Sequence, residues 1–281
     1  ISFVGSSPVA HIVQDTGVAH GKRVQALGGA NNHAIVMPDA DIEFAAQHIS
    51  AGAFGAAGQR CMALPVIVAV GGVAQKLVPA IKARAEKIVV GPGTDPACEM
   101  GPVITRSSQQ RITKWIDEAE ANGASVVLDG RGYKPEGEEY ADGFWLGPTI
   151  LDNVDRKLDI YCEEVFGPVL VVVHADTYEE AIEIVNSSPY GNGSAIFTSD
   201  GDTARHFVVE VEAGMVGVNV PIPVPVAYYS FGGWKESLLG DTHIHGPEGV
   251  RFYTKAKVIT TRWPKRGEKV GYVGMNFPTN G

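Results

Sequence analysis

Short apolar runs alternate with segments of helical periodicity along most of this chain. Residues 66–70 and 169–173 are apolar runs of strand length, rich in Val. The clearest helical segment carries apolar residues at i, i+3, i+4 and i+7, namely Ile112, Trp115, Ile116 and Ala119. Such alternation of strands with helices predicts an α/β fold built on a parallel sheet.

Caps and turn residues set the bounds of these elements. Ser107 or Ser108 is a good N-cap for the clearest helix, and Gly123 takes its C′ position. The predicted strands are 1–4, 34–37, 66–70, 88–90, 125–128, 144–151, 169–173, 195–198, 216–220 and 258–263, and residues 23–27 also alternate. The predicted helices begin near residues 9, 39 or 41, 73, 107, 178 and 203, and end near residues 17–21, 54, 86, 122, 185 and 211.

The chain begins at Ile1, without a Met or a signal-like segment, inside an apolar run that we interpret as a buried strand. We therefore expect it to be a fragment of a longer protein. Its 281 residues are compatible with one large domain or two smaller ones.

Composition and charge exclude several classes of protein. With 44% hydrophobic and 20% charged residues, the usage is that of a globular protein. The net charge is -9, and the acidic and basic residues are interspersed along the chain. No basic stripe results, which argues against nucleic acid as a partner. The longest apolar stretch, 62–74, contains Pro65 and two glycines and is too short for a membrane helix. We expect a soluble protein.

The cysteines and histidines favour neither a disulfide framework nor a metal site. Cys61, Cys98 and Cys162 are an odd number at wide spacing, without a CxxC motif. The eight histidines show no ligand spacing. A reducing cytosol fits this pattern best.

One cysteine lies in a setting that suits a nucleophile. Cys61 follows Gly58, Gln59 and Arg60, where a glycine lets the backbone approach a ligand and an arginine favours thiolate over thiol. Taken alone, the motif is better explained by packing, because most free cysteines are inert and buried. Cys98 and Cys162 keep that interpretation.

Three further motifs each have two interpretations. The segment 5–8, GSSP, lies between a strand and a helix, where backbone N–H groups bind phosphate or where a plain turn begins. Glu163 and Glu164 precede a predicted strand, where a carboxylate binds ribose hydroxyls or where a solvated loop caps the strand. Asn219 and the FGGWK segment, 231–235, suggest a glycine-bearing loop near a site, although Phe231 suits the core equally well.

Taken together, these motifs resemble the aldehyde dehydrogenase superfamily. GSSPVA (5–10), GQRCMA (58–63), EEVFGPV (163–169), Asn219 and FGGWK (231–235) occur in the family's order and spacing. The resemblance spans roughly residues 1–263. The amino-acid sequences of several segments are similar to those of the CoA-acylating branch, whose members oxidise malonate and methylmalonate semialdehydes.

The resemblance implies a role for each of six residues. Cys61 would be the nucleophile, and its backbone N–H would contribute to the oxyanion hole. Arg60 would recognise the carboxylate of a semialdehyde. The cofactor NAD would be held by Ser6 at its phosphates, Gly28 beside the nicotinamide, Glu164 at the ribose and Phe166 near the ring.

One departure from the family bears on the second half of the reaction. Hydrolytic members carry a glutamate that activates water, but here the aligned position is Ala26 or, counted back from Cys61, Leu27. Without that base a CoA thiol is the better second nucleophile, because it ionises far more readily than water. A smaller departure is Ala10, where many members have glycine.

The resemblance also implies an organisation and a set of partners. Segment 1–27 would be the remnant of a Rossmann-like NAD-binding domain, 28–245 the catalytic domain, and 246–281 an oligomerisation strand with a tail. The strand at 258–263 would pair with another subunit of a homo-oligomer. Most of the NAD-binding domain would precede Ile1, so we expect no turnover from the fragment alone. The expected location is the cytoplasm, or the mitochondrial matrix in a eukaryote.

The implied reaction is the NAD-dependent oxidation of malonate or methylmalonate semialdehyde to acetyl-CoA or propionyl-CoA with loss of CO2. The substrates and partners would be the semialdehyde, NAD and CoA. Two alternatives remain open: a hydrolytic aldehyde dehydrogenase that releases a free acid, and a non-catalytic structural subunit with the same fold. The presence of Cys61 and Glu164 argues against the second.

Overall fold

The computed structural model describes residues 1–267. Its strands are β1 (Ser2–Val4), β2 (Gln25–Leu27), β3 (His33–Val36), β4 (Val66–Val70), β5 (Ser125–Leu128), β6 (Thr149–Asp152), β7 (Val169–Ala175), β8 (Tyr190–Gly191), β9 (Gly193–Phe197), β10 (Met215–Val218) and β11 (Trp234–Lys235). Its α-helices are α1 (Ser7–Ala19), α2 (Ile42–Phe54), α3 (Ala74–Ala85), α4 (Arg106–Ala121), α5 (Asp159–Cys162), α6 (Tyr178–Asn186), α7 (Gly201–Glu210) and α8 (Gly246–Tyr253).

A seven-stranded sheet forms the centre of the fold. Its strand order is β10-β9-β3-β4-β7-β6-β5. Each neighbouring pair is parallel except β5 with β6, which is antiparallel. The predicted α/β fold with a parallel sheet is therefore confirmed.

The two faces of the sheet carry separate hydrophobic cores. Side chains alternate between the faces along β4, so Val66 and Val68 enter one core and Ile67 enters the other. Helices α2 and α3 cover the Ile67 face, chiefly through Ile49 and Leu77. The opposite face is covered by side chains from α4, α6 and α7, including Ile112, Ile116, Ile184 and Phe207.

Strands β1 and β2 form a separate two-stranded parallel sheet. Helix α1 packs on it, and Ala10 and Ala26 are completely buried at this contact. The expectation that the first run is a buried strand is wrong here, since Ile1 and Val4 are 53% and 60% exposed. The reason is that β1 pairs only with β2 within residues 1–267.

Several predicted bounds differ from the structure. Residues 88–90 form no strand, and only an isolated bridge joins Val90 to Met100. Strand β6 begins at Thr149 instead of residue 144, because Pro148 lacks the N–H that a ladder needs. The N-cap of α4 is Thr105, whose hydroxyl accepts a hydrogen bond from the backbone N–H of Ser108 at 3.1 Å. The short elements β8, β11, α5 and α8 were not predicted.

The structure does not test the predicted pairing of the C-terminal segment with another subunit. Residues 258–263 form no strand within residues 1–267, and Val258 and Trp263 are 91% and 86% exposed. Strand pairing with another subunit therefore stays a prediction. The predicted tail from 268 to 281 lies outside the described residues. None of the helices in residues 1–267 has the length and apolar character to cross a membrane.

The first 27 residues also contact the chain near residue 240. Ala26 forms an isolated antiparallel bridge with Leu239. The side-chain amide of Gln25 donates to the carbonyl oxygen of His243 at 2.6 Å. The division into segments 1–27, 28–245 and 246–281 stays a prediction.

His33 opens β3 and is almost completely buried. Its Nδ1 lies 2.8 Å from the carbonyl oxygen of Asn31, and its Nε2 lies 3.2 Å from the hydroxyl of Tyr161. A neutral ring satisfies both contacts by donating to the carbonyl and accepting from the hydroxyl. Burial lowers the pKa of His33 to about 4, opposed by the Asn31 hydrogen bond and reinforced by the charge of Lys235.

We expect His33 to lower the stability of the fold as the pH falls from 6.5 to about 4. The unfolded chain takes up this proton near pH 6.5 and the folded chain only near pH 4. Between these values the unfolded state binds more protons than the folded state. The contribution of His33 to the free energy of unfolding is therefore fully present above pH 6.5 and is lost as the pH falls towards 4. The whole effect is about 3 kcal/mol. Urea unfolding between pH 4 and pH 7 measures it.

The substitution His33→Gln should remove this part of the pH dependence, whatever its effect on stability at pH 7. The control His20→Gln changes an exposed histidine and should keep the slope of the parent chain. Equal slopes in the parent and in His33→Gln would contradict the assignment.

Candidate active site

A cavity of about 980 Å³ lies at the amino ends of the central parallel strands. Cys61 precedes β4, Glu164 precedes β7, and Gly28 precedes β3. Ligands of open parallel sheets usually bind at the carboxyl ends, so this is the opposite edge. The wall of the cavity contains every residue for which the sequence predicts a role: Ser6, Gly28, Arg60, Cys61, Glu164 and Phe166.

Backbone strain shapes the segment that carries the cysteine. After α2, a 3₁₀ turn at Gly55–Gly58 places Ala56, Ala57 and Gly58 in the left-handed region, with φ of 55°, 54° and 66°. Non-glycine residues seldom adopt this conformation, and strain of this kind clusters at functional sites. A Cβ at Gly58 would lie 2.0 Å from the carbonyl oxygen of Gly167, so only glycine fits there.

Cys61 is the second residue of a tight turn that opens towards the cavity. The backbone N–H of Ala63 donates to the carbonyl oxygen of Arg60 at 2.9 Å and closes the turn. The thiol is half-buried. Burial raises its pKa and the neighbouring Glu164 raises it further, whereas hydrogen bonds from the backbone N–H groups of Cys61 and Met62 oppose the shift.

Arg60 faces a different partner from the one that the sequence suggests. Its Nη2 donates to the carbonyl oxygen of Ala51 at 2.9 Å, in the last turn of α2, where the helix dipole favours a cation. The expectation that Arg60 stabilises the thiolate is therefore wrong, because the pKa of Cys61 is raised. The Arg60 Nε is buried and has no hydrogen-bond partner within residues 1–267, which leaves a donor for an anion.

Gly55 makes room for this arginine. A Cβ at Gly55 would lie 2.4 Å from the Arg60 Nη2 and 3.1 Å from its Cζ. The guanidinium thus lies against the bare backbone of Gly55, and a methyl group there would displace it.

Glu164 is a half-buried carboxyl group in the same cavity. Burial raises its pKa to about 7, although a hydrogen bond with the backbone of Ala30 and the charge of Arg111 oppose the shift. Arg111 lies on α4 and donates to the carbonyl oxygen of Val165 at 2.9 Å. Its Cζ lies 4.4 Å from the centre of the Trp115 ring.

Arg111 and Trp115 line the cavity, and the sequence analysis missed this role. Trp115 fits the apolar spacing of α4 and was therefore grouped with the core residues. One signal in the sequence could have distinguished Trp115 from the core residues: Arg111 stands four positions before it, so the two side chains share one face of the helix and can form a cation–π pair. Ile112 and Ile116, by contrast, are completely buried.

Helix α1 and the Gly28–Gly29 loop form the other wall. The backbone N–H of Gly29 donates to the Ser7 hydroxyl at 3.0 Å. A Cβ at Gly28 would lie 2.3 Å from the carbonyl oxygen of Glu236 and 2.8 Å from the Ser7 Oγ. Ser6 is the N-cap of α1, and its side chain makes no capping bond. The amino end of α1, a setting that favours anions, therefore lines the cavity.

Phe166 and Tyr190 complete the wall. Phe166 has a φ of 51° and is 37% exposed, and its ring lies on the cavity surface. The Tyr190 hydroxyl donates to Glu163 at 3.3 Å. Burial together with Glu163 raises the pKa of Tyr190 to about 12.

No carboxylate stands where a hydrolytic base is expected. Ala26 and Leu27 are buried in β2. Within residues 1–267 the carboxylates on the cavity wall are Glu163 and Glu164. The same described residues contain no group of three or more His, Cys, Asp and Glu side chains arranged to hold a metal.

The side chain of Asn219 does not line this cavity, although Ile222 and Val224 of the same loop do, so the loop lies near the site as expected and Asn219 itself does not. Asn219 follows β10 at the carboxyl edge of the sheet, with a φ of 56°. Its side-chain amide donates to the carbonyl oxygen of Thr198 and accepts from the N–H of the same residue. Phe231 of the FGGWK segment does line the cavity.

Comparisons with known proteins agree with the geometry. The sequence profile of the aldehyde dehydrogenase family matches residues 1–259. A malonate-semialdehyde dehydrogenase of Pseudomonas aeruginosa is 53% identical over 271 residues, which are 95% of this chain and 53% of the relative. The mitochondrial, acylating methylmalonate-semialdehyde/malonate-semialdehyde dehydrogenase of Bos taurus is 47% identical over 100% of this chain and 52% of its own.

A solved structure shares the fold. A crystal structure from Sinorhizobium meliloti, assigned as a methylmalonate-semialdehyde dehydrogenase and complexed with NAD, superposes with a TM-score of 0.91 at 48% identity. The match covers 95% of this chain and 54% of that one. The chain spans about half the length of the relatives that it matches.

The coupling of Glu164 to Cys61 predicts the effect of Glu164→Gln. This change removes a negative charge that raises the pKa of the thiol, so the thiolate fraction should increase. We expect Cys61 to react with iodoacetamide roughly threefold to tenfold faster at pH 8 in the cofactor-free protein. Because the pKa of Glu164 is about 7, the difference should shrink below that pH. Mass spectrometry of the Cys61 peptide measures the rate.

The matched control is Glu163→Gln, which changes the exposed neighbouring carboxylate on the same cavity wall. It should leave the rate at Cys61 close to that of the parent. A slower reaction in Glu164→Gln, or equal rates in both variants, would show that Glu164 does not act on the thiol.

Proposed function

The chain belongs to the aldehyde dehydrogenase family, and on that premise we propose that its protein is an NAD-dependent, CoA-acylating dehydrogenase of malonate or methylmalonate semialdehyde. The observation that carries this proposal is the composition of the cavity. It joins a thiol, Cys61, to a cation with a free donor, Arg60, while Ala26 and Leu27 stand where a hydrolytic base would be. The names of the relatives support the same substrates.

The cavity fits NAD. Gly28 has no space for a side chain, the amino end of α1 lines the cavity with its positive dipole end, and the Glu164 carboxyl offers acceptors. We propose that Ser6 contacts the cofactor phosphates, Gly28 and Phe166 flank the nicotinamide, and Glu164 accepts from the ribose hydroxyls. When bound, NAD supplies the acceptor for the hydride that leaves the aldehyde carbon.

Cys61 performs the covalent chemistry. The thiol loses its proton to solvent, and the thiolate forms a C–S bond to the aldehyde carbon while the carbonyl π electrons move to oxygen. The backbone N–H of Cys61 donates to that oxygen. After the hydride leaves the carbon, the C=O bond re-forms and an acyl thioester remains on Cys61.

A thiol then removes the acyl group. The CoA thiolate attacks the thioester carbon, a new C–S bond forms, and the Cys61 thiolate leaves. Water is a weaker competitor, because neither Ala26 nor Leu27 can take its proton. The bond between the α-carbon and the carboxylate of the malonyl-type acyl group breaks with loss of CO2, and the α-carbon keeps the electron pair as an enolate and takes a proton from solvent. The products are acetyl-CoA from malonate semialdehyde and propionyl-CoA from methylmalonate semialdehyde.

Arg60 accounts for the choice of an acidic substrate. Its buried Nε has no partner within the described residues, and the guanidinium lies on the same wall as Cys61. A carboxylate at one end of a short semialdehyde satisfies this donor while the aldehyde end meets the thiol. A neutral aldehyde of the same length leaves the donor unsatisfied, which costs binding free energy.

A hydrolytic reaction is the second candidate, and one observation favours it. Glu164 has a pKa of about 7 and lines the cavity together with Cys61, as a general base for water must. In that case the product is a free acid, and CoA is not needed.

The larger organisation belongs to the same proposal. We place the protein in the cytoplasm, or in the mitochondrial matrix of a eukaryote, as the name of the bovine relative suggests. We propose a homo-oligomer in which residues 258–263 pair with another subunit, because their apolar side chains are exposed in the single chain.

The requirement for CoA separates the two reactions. With the full-length product of the gene, malonate semialdehyde and NAD, we expect sustained NADH formation only when CoA is present, with acyl-CoA formed in equal amount. Parallel measurement of NADH absorbance and of acyl-CoA by chromatography checks this. Sustained NADH formation with free acid and no CoA would instead identify a hydrolytic enzyme, and no NADH at all would exclude both.

Gly55→Ala tests the role of Arg60 without removing the arginine. The added methyl group displaces the guanidinium, which can move because it ends a flexible side chain. We expect the KM for malonate semialdehyde to rise about tenfold or more, while kcat/KM for propanal changes little. Steady-state kinetics with both aldehydes measure the difference.

The control Gly101→Ala adds the same methyl group in open space. It should leave both substrates unaffected. An equal loss for both aldehydes in Gly55→Ala would show that Arg60 does not select the carboxylate.

A further inference from the structure

Two buried asparagines converge on the turn that carries Cys61. Asn32 lies in the loop before β3, and Asn192 lies between β8 and β9. They are separated by 160 residues in sequence, and each is only 4% exposed. The sequence analysis assigned neither of them a role.

Both amides donate to the same carbonyl oxygen. The Asn32 Nδ2 lies 2.9 Å from the carbonyl oxygen of Cys61, and the Asn192 Nδ2 lies 3.0 Å from it. Asn32 also donates to the carbonyl oxygen of Ala63 at 2.6 Å. A carbonyl oxygen has two lone pairs, so the one at Cys61 is fully occupied. The turn is therefore held on both sides of Met62.

The two amides are themselves fixed. The backbone N–H of Gly193 donates to the Asn32 Oδ1 at 2.9 Å, which ties Asn32 to the start of β9. Asn192 is the residue before Gly193, and its Nδ2 also lies 2.9 Å from the Met62 Sδ. Asn32 is thus held through both its Oδ1 and its Nδ2, and Asn192 through two contacts of its Nδ2, and buried amides held in this way keep one orientation.

The fixed orientation of the Cys61–Met62 peptide also sets the direction of the N–H near the Cys61 sulfur. The carbonyl of Cys61 and the N–H of Met62 belong to one trans peptide unit, in which the two bonds point in opposite directions. The carbonyl points to the two amides. The N–H of Met62 points away from them, and it is one of the two backbone donors that hydrogen-bond the Cys61 sulfur.

We infer that Asn32 and Asn192 are positioning residues that hold the Cys61–Met62 peptide with its N–H directed at the Cys61 sulfur. The inference rests on the proposed role of Cys61 as nucleophile. The hydrogen bonds polarise the peptide, which strengthens its N–H as a donor. A donor to the sulfur stabilises the thiolate more than the thiol, and in this cavity burial and Glu164 favour the thiol.

The test is Asn192→Leu, which keeps the branch at Cγ and removes the amide donor. In the cofactor-free protein at pH 8 we expect the reaction of Cys61 with iodoacetamide to slow about tenfold, with its pH profile shifted to higher pH. Cys98 and Cys162 serve as internal references in the same mass spectra. A role confined to packing would lower stability without moving this profile.

The matched control is Asn31→Leu. Asn31 is also buried, and its amide donates to the carbonyl oxygen of Tyr161 at 2.6 Å, not to the turn. This variant should lose stability and keep the pH profile of the parent. Equal profiles in Asn192→Leu and the parent, or equal shifts in both asparagine variants, would overturn the inference.

Thermal unfolding shows whether each variant is folded. If Asn192→Leu does not fold, Asn192→Ala replaces it as the test variant. The smaller alanine leaves space around position 192 and causes no steric clash. The alkylation measurement does not require turnover, so its outcome is separate from that of the CoA experiment. In the full-length protein, Asn192→Leu should slow the formation of NADH in the first turnover and leave the KM for NAD unchanged.

Discussion

The close approach of two glycine-bearing segments is the constraint on which the cavity depends. Gly58 lies so near Gly167 that a Cβ would be 2.0 Å from the carbonyl oxygen of Gly167, and a Cβ at Gly167 would be 2.4 Å from the Cδ1 of Ile112. This stack sets the distance between the segment of Cys61, the segment of Glu164 and helix α4. Because the contact is between backbone and packed side chain, it has little room to adjust.

The electrostatics of the cavity follow from that closeness. Burial favours the neutral forms of both Cys61 and Glu164, and the charge of Glu164 adds to the effect at the thiol. The opposing groups are the backbone N–H groups at the thiol and the Arg111 cation at the carboxyl group. In the free cavity, burial and Glu164 therefore favour the thiol form of Cys61, and the backbone contributes the groups that favour the thiolate. This explains why the orientation of one peptide unit matters for reactivity.

The sheet decides where these groups meet. Cys61, Glu164 and the Gly28–Gly29 loop each precede a parallel strand of the central sheet, so they converge at its amino edge. Asn219 follows a strand and lies at the other edge, although its sequence motif belongs to the same set. The fold thus separates Asn219 from Cys61 and Glu164, which motif order does not reveal.

The sequence by itself determined the α/β class and most of the central strands, because periodicity is a local signal, and the resemblance of its motifs to a known family indicated six residues that line one cavity. It could not place Arg60, whose guanidinium turns to the carbonyl of Ala51 and not to the thiol. It did not find Asn32 and Asn192, because buried amides gain a role only from what they contact, here the turn at Cys61, which is 29 and 131 residues away along the chain. The tertiary structure also decided the direction of the shift in the pKa of Cys61, since burial and the Glu164 carboxylate outweigh the backbone N–H groups of Cys61 and Met62.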